Sequence, residues 1–390
     1  MTNKTIAYAV SVLLCISICF NTKLSEAPPL FLSNLILFFV DTLLLLKVLF
    51  HLKKRFLSDV KQVFLLFIVI SIIALLSYNN KNVVSVFPKL ILGIFTYYSF
   101  SRYLLLYHKD ISIVLFGLCF GTALSPFFQI EVADLTSLST ANRIKVDNLG
   151  NFNAYAFLIA VSLIISIYLL TKIKPLFNKL LFTGIQFPLL IVLLLTLSRG
   201  GVFALVMGFV LYNFSVNKKT KIYLLLFTIF AVIIIGNILV QMDGTDLFLN
   251  RFLNSEKEED FDSGRSIVYL FLLNNLFSSF SSLLFGFGIG AIEIDVSAET
   301  PIISAHNTYL DVFYSYGMVG LIIFIRYLLR VYKSIKVMPK SSEKSISIAL
   351  FGQLVFCFFY DSYWGATQIG WIIPFFFAFF RVQSEKAKLF

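Results

Sequence analysis

The chain has 390 residues, of which 58% are hydrophobic and only 14% charged, with a mean hydropathy of +0.88. A water-soluble domain carries about 45–50% apolar and about 25% charged residues, so this composition excludes one and requires lipid as the solvent. The net charge of +11 does not mark a nucleic-acid face, because the cations lie in short clusters between apolar runs, such as Lys53-Lys54-Arg55 and Lys218, Lys219 and Lys221; this is the positive-inside pattern, and no nucleic-acid partner is expected.

Inside a bilayer the backbone must satisfy its own hydrogen bonds, so runs such as Val63–Ser77 and Ile222–Val240 must be helices. Ile6–Phe20 has the hydrophobicity of an export signal, but no small-x-small cleavage site follows it and more spans come after, so it is read as the first membrane helix. Asp41 lies near the middle of the second span, where a charge is costly; it is either a functional group or one end of a hydrogen bond between helices. Taking apolar runs of about 17–22 residues as spans gives about twelve helices. They lie near 5–21, 30–50, 62–78, 87–107, 111–130, 152–171, 181–197, 202–216, 222–241, 307–328, 346–360 and 367–380. The expected fold is an all-α polytopic membrane protein, one transmembrane domain over 1–390, without internal repeats. All four cysteines sit within apolar runs and are expected to pack there.

Orientation follows from the basic residues. With both termini inside, all but nine of the 32 lysines and arginines fall at or near the cytoplasmic side. Ile267–Ile294 is hydrophobic enough to be a further span, yet counting it would carry Arg326, Arg330, Lys333, Lys336, Lys340 and Lys344 outside. Asn274, Ser278 and Ser281/Ser282 also recur on a different face from Leu270, Leu273, Phe277, Phe280 and Leu284, as in a helix lying in the interface. The segment is therefore placed in a large external loop, 242–305, between spans nine and ten, with interfacial helices.

Four features fall on the external side. Thr196-Leu-Ser-Arg199-Gly-Gly201 is a tight break whose glycines allow a reversal; Arg199 is either fixed at the rim or snorkels to head groups. Asp262-Ser-Gly-Arg265-Ser precedes the interfacial helix, with Ser263 as its expected cap. Arg265 there could fork onto phosphate oxygens or pair with Glu256, Glu258, Glu259, Asp260 or Asp262. Phe285-Gly-Phe-Gly-Ile-Gly290 lacks the Lys-Ser/Thr ending of a phosphate loop and is read as a flexible turn. His306, of three histidines the one placed outside, opens His306-Asn-Thr-Tyr-Leu-Asp-Val-Phe-Tyr-Ser-Tyr-Gly-Met-Val-Gly-Leu321; on a helix it would share a face with Tyr309 and Leu310. An imidazole exchanges protons near neutral pH without metal or cofactor, which makes it the first candidate for a base.

The motifs Ser-Arg199-Gly, Gly-Arg265-Ser, Gly286-x-Gly288-x-Gly290 and His306-Asn-x-Tyr-Leu-x(6)-Gly317-x-x-Gly-Leu321, in this order and spacing, resemble the O-antigen ligase/polymerase superfamily, most of all Wzy-type O-antigen polymerases. They cover residues 196–321; Asn142-Arg143 and Gly150-Asn-Phe-Asn153 add to the likeness, and the remainder agrees in hydropathy and in its large external loop. The resemblance implies a metal-independent glycosyltransferase, without cofactor, on the outer face of the bacterial cytoplasmic membrane. Its donor would be an undecaprenyl-diphosphate-linked glycan, its acceptor a second lipid-linked repeat unit, and a chain-length regulator membrane protein would be a further partner. Carried onto matching positions, the resemblance makes Arg199 and Arg265 the diphosphate-binding arginines and His306 the group that activates the acceptor hydroxyl. It adds Arg143, Asn153, Asn307, Tyr309, Gly288 and Gly290 as substrate-binding residues. The acidic run 256–262 beside Arg265 departs from the pattern, as does an end soon after the last span, without the soluble domain appended in some relatives.

Two rivals stay open. A ligase would use nearly the same groups to transfer finished glycan to lipid A-core; the Tyr309-Leu-Asp311 and Tyr314-Ser-Tyr316-Gly context favours a polymerase. A transporter of the same lipid-linked glycan would need ionisable groups lining a midplane cavity, for which Asp41 is the only clear candidate. The topology itself is testable. A cysteine placed at Thr300 should react with a membrane-impermeant maleimide added to intact cells, and protection at that position would overturn the orientation.

Overall fold

The computed structural model describes residues 3–20, 23–25, 30–49, 83–107, 111–129, 152–173, 176–196, 198–215, 265–292, 305–361 and 372–387. In chain order these form α1 (Asn3–Cys19), a short antiparallel pair β1 (Lys23–Ser25) and β2 (Leu30–Phe31), α2 (Leu32–Leu49), α3 (Val83–Leu106), α4 (Ile111–Gln129), α5 (Phe152–Leu170), α6 (Leu176–Leu195) and α7 (Arg199–Ser215). There follow α8 (Arg265–Leu276), α9 (Phe280–Phe285), α10 (Thr308–Lys336), α11 (Ser342–Tyr360) and α12 (Ile372–Ala387). Among the described residues, five helices are long and apolar enough to cross a membrane, namely α4, α5, α6, α10 and α11, with α1 and α7 as shorter apolar helices. The chain is thus a helical polytopic membrane protein. Ten of the twelve expected spans coincide with a helix; those at 62–78 and 222–241 lie outside the described residues, so the count of about twelve remains an expectation. Among the described residues, the two-residue and three-residue strands qualify the all-α expectation only at the α1–α2 connection.

The sequence of α5 shows no polar face, and a helix apolar all round belongs inside a bundle. It is the most enclosed span, 83% buried, with α4, α6, α7 and α11 around it. Small residues bring α5, α7 and α11 close. A Cβ on Gly201 would stand 2.4 Å from the Ala156 methyl, and one on Gly208 2.4 Å from the Gln353 amide carbon. Gln353, fully buried, donates its Nε2 hydrogens to the carbonyls of Ala160 (3.2 Å) and Ala204 (3.0 Å), tying the three helices at mid-depth. Away from this centre, Gly117 and Gly121 of α4 meet the backbone of Ser11 and Cys15 on α1. Asp41 is fully buried and accepts hydrogen bonds from Thr96 (2.8 Å) and Ser99 (2.5 Å) of α3. Of the two readings of Asp41, the structure supplies the interhelical bond. The four cysteines are free thiols, three of them buried.

Helix direction places the ends. Gly200 meets Tyr360 whereas Gly208 meets Gln353, so α7 and α11 run antiparallel, and Arg199 lies at the same end of the bundle as Tyr360. At the opposite end Lys172 bridges to Glu343 at 2.8 Å, and the Lys344 ammonium caps the α10–α11 turn through the carbonyls of Lys336 and Met338.

Ile267–Ile294 is not one helix. It breaks after 12 residues of α8, and α9 adds six more. Both fall well below the roughly 20 residues that a span needs. Their inner side, Val268, Leu272 and Leu276, forms a small core with Ile292, Ala305, Phe313 and Tyr314. Leu270, Phe271, Phe277, Phe280 and Phe285 point outward and stay exposed.

The Phe285–Gly290 turn also differs from its expected role. It docks on a break in α10, where Gly317 adopts φ 65°, ψ −167°. The break leaves helix carbonyls without their usual donors, and the turn supplies them: Phe287 N–H donates to Tyr314 and Gly288 N–H to Ser315, both at 2.9 Å. Phe287 stacks on Tyr314 at 4.8 Å. The contact is backbone on backbone, since a Cβ on Gly317 would sit 2.2 Å from the Leu284 carbonyl oxygen and one on Gly286 2.6 Å from the Gly317 nitrogen. Glycine is required there for space as much as for its positive φ. Gly317→Ala should therefore cost about 1–3 kcal/mol from backbone strain alone, read as a lower melting temperature in detergent. Gly184→Ala, where an added methyl meets nothing within 4 Å, should leave it unchanged; equal behaviour of the two variants would refute the interlock.

Candidate active site

Three of the four features expected on the external side converge on the C-terminal end of α11. The last carbonyls of a helix lack amide donors and carry the negative end of its dipole, so they attract a cation. Arg265, first residue of α8, occupies that position: its Nη1 donates to the Tyr360 carbonyl at 3.1 Å, and its guanidinium lies 4.9 Å from the centre of the Tyr360 ring. The next residue, Asp361, leaves the helix in extended conformation (φ −155°, ψ 165°) with its amide bonded to the Cys357 carbonyl. Its carboxyl is only 2% exposed, and a buried carboxylate needs partners. His306 Nδ1 stands 3.1 Å from Asp361 Oδ1, and Thr308 Oγ1 donates to the Asp361 carbonyl at 2.8 Å.

His306 does not sit on a helix. It precedes the cap of α10, with φ 49°, the left-handed region that non-glycine residues seldom occupy. Local chemistry fixes it there. Asn307 accepts the Leu310 amide at 3.1 Å as the cap of α10, and Asp311 accepts the Ala305 amide at 3.0 Å. Such a conformation costs on the order of 1–3 kcal/mol and persists where surrounding bonds over-determine it. The outcome is an imidazole with one nitrogen held by a buried carboxylate and a side chain 42% exposed. Histidine with its Nδ1–H on Asp361 would present Nε2 as an acceptor, the tautomer that a base requires.

Arg199 starts α7 at the same end of the bundle. Ser198 caps that helix by accepting the Gly201 amide at 3.2 Å, and it donates to Asn153 Oδ1 of α5 at 2.8 Å. Gly200 lies flat against the Tyr360 ring, where a Cβ would be 2.0 Å from Cδ1, so the residue beside it, half-buried Arg199, starts α7 next to that ring. Gly200 and Gly201 are thus helical residues that permit close packing, in place of the expected reversal. The segment had its turn chemistry in Ser198.

The structure thus brings Arg265 and His306 to Tyr360–Asp361 and sets the start of α7, at Arg199, beside the Tyr360 ring through Gly200, with Asn153 tied in through Ser198. Asn307 serves as a helix cap. Tyr309 packs among Phe324, Phe358 and Phe359, its hydroxyl 3.3 Å from the Val355 carbonyl. Gly288 and Gly290 lie in the turn on α10, both with positive φ. Arg143, Ser263 and the acidic run 256–262 lie outside the described residues. Tyr360 and Asp361 were missed by sequence reasoning, although one signal existed: an acid directly after a span whose parity puts it on the side of His306. Among the described residues no three His, Cys, Asp or Glu side chains cluster as metal ligands do.

No curated protein matches the chain. Residues 184–325 match the family model described as O-antigen ligase. That match covers Arg199, Arg265, the glycine turn and His306, and stops short of Tyr360 and Asp361. Over this segment the chain is similar to the O-antigen ligase/polymerase superfamily of glycosyl-transferring membrane proteins, without a distinction between polymerase and ligase.

Proposed function

We propose that this protein polymerises undecaprenyl-diphosphate-linked oligosaccharide repeat units by glycosyl transfer on the outer face of the bacterial cytoplasmic membrane. The observation that carries the reading is the meeting of a carboxylate-held imidazole and two arginines at one end of the bundle. The outer-face assignment rests on the opposite end, which holds Lys172, Lys336, Lys340 and Lys344, the side expected inside.

In this reading the acceptor hydroxyl passes its proton to His306 Nε2 as its oxygen bonds to the anomeric carbon of the donor. The bond from that carbon to the diphosphate oxygen breaks with its electron pair, undecaprenyl diphosphate leaves, and the anomeric centre inverts. Charge builds on the leaving group as the bond breaks, and in this reading the guanidinium forks of Arg199 and Arg265 receive it. A well-placed donor of this kind lowers a barrier by about 3–4 kcal/mol, and base assistance adds about 10²–10⁴-fold. Asp361 accepts the Nδ1 hydrogen and stabilises the imidazolium that forms. Asn153 sets the start of α7 and hence Arg199; a chain-length regulator would act on this reaction from outside the site.

The polymerase choice rests on the sequence context around Tyr309-Leu-Asp311 and Tyr314-Ser-Tyr316. The description of the matching family favours a ligase as the second reading. Complementation separates them: loss of a polymerase leaves a surface bearing single repeat units, whereas loss of a ligase leaves long chains on the carrier lipid.

Two sets of variants test the chemistry. His306→Ala should abolish product, and Asp361→Asn should lower turnover by roughly 10² or more through the wrong tautomer, with both proteins still in the membrane; long-chain product at the normal rate from either removes the dyad. Arg199→Lys and Arg265→Lys should each impair turnover, because a point charge does not reproduce the fork. Full activity in both lysine variants rules out the diphosphate clamp.

A further inference from the structure

Tyr360 belongs to none of the motifs above and lies beyond the segment that matches a family model. Yet three independent contacts converge on it. Its carbonyl accepts Arg265 Nη1 at 3.1 Å, its ring stands 4.9 Å from the Arg265 guanidinium, and the same ring fills the space left by Gly200, beside Arg199. Phe356, one turn earlier on α11, stacks with it at 6.4 Å and backs the ring.

We propose that Tyr360 is the positioning residue that aims Arg265 at the anionic part of the substrate while leaving its charge available. The inference rests on the diphosphate reading above and names the group that makes the arginine competent. The physical reason is a difference between partners. A carboxylate placed on Arg265 would hold it as firmly but would cancel its charge, and an incoming phosphate would have to displace it. A ring face and a carbonyl are neutral: they attract the cation through the quadrupole and a dipole, and neither cancels its charge.

The test measures binding of undecaprenyl diphosphate to the detergent-solubilised full chain, so it depends on no knowledge of the sugars. Tyr360→Leu should weaken that affinity about tenfold, the size expected for a partly desolvated cation–π contact, and Tyr360→Phe should restore it. Replacing Tyr360 with mono-, di- and trifluorinated phenylalanine drains the ring face stepwise at nearly constant shape; affinity should fall with each fluorine. A purely structural ring would give a flat series, and that result overturns the proposal even if Tyr360→Leu fails to fold. In the Arg265→Ala background, Tyr360→Leu should add little further loss, because the ring acts through the arginine; multiplied losses would also overturn it. Arg265→Ala with wild-type affinity sinks the diphosphate reading itself, whereas weak binding by Arg265→Ala beside a flat fluorine series sinks only the role of Tyr360.

Discussion

The end of α11 is the constraint on which the candidate site depends. Tyr360 offers a helix carbonyl without its usual amide donor, and Asp361 offers a carboxylate buried to 2% exposure. Each group is costly unless paired, and each takes its partner from a different part of the chain: Arg265 from the start of α8, His306 from the turn before α10. The same requirement that satisfies two polar groups brings a cation and an imidazole to one rim. In the proposed function, the chemistry of this site is a by-product of a stability demand on neighbouring residues.

Such a rim is only as fixed as the helices beneath it. Gln353 joins α5, α7 and α11 through two carbonyls, and Gly201 and Gly208 let those helices approach until side chains touch backbone. On the other side, the break at Gly317 and the Phe285–Gly290 turn lock α9 to α10 through paired amides and carbonyls. The small core of Val268, Leu272, Ala305 and Phe313 then couples the helix bearing Arg265 to the turn bearing His306. The strained φ of His306 is held within this frame, not by the residue's own preference.

Several expectations changed for physical reasons visible only in three dimensions. The glycines at 200 and 201 look like a chain reversal, but they lie inside α7 and make room for a tyrosine ring and an alanine methyl. The run Gly286-x-Gly288-x-Gly290 reads as a flexible turn, yet its Phe287 and Gly288 amides are spent on the carbonyls of a broken helix. Asp41, open to two readings at mid-membrane, is satisfied by Thr96 and Ser99 of another helix. In each case a short pattern fixes what a residue is able to do, while its neighbours decide which ability is used.

The sequence by itself determined that this chain lives in a bilayer, where most of its helices begin and end, and that Arg199, Arg265 and His306 are its reactive candidates. Those properties are local: the transfer free energy of a segment and the chemistry of a side chain are written in a few consecutive residues. Only the tertiary structure decided that Arg265 bonds to Tyr360 and that His306 faces Asp361, residues 95 and 55 positions apart. Pairings at such separations follow from how whole helices pack, and no local pattern of hydropathy or spacing encodes them.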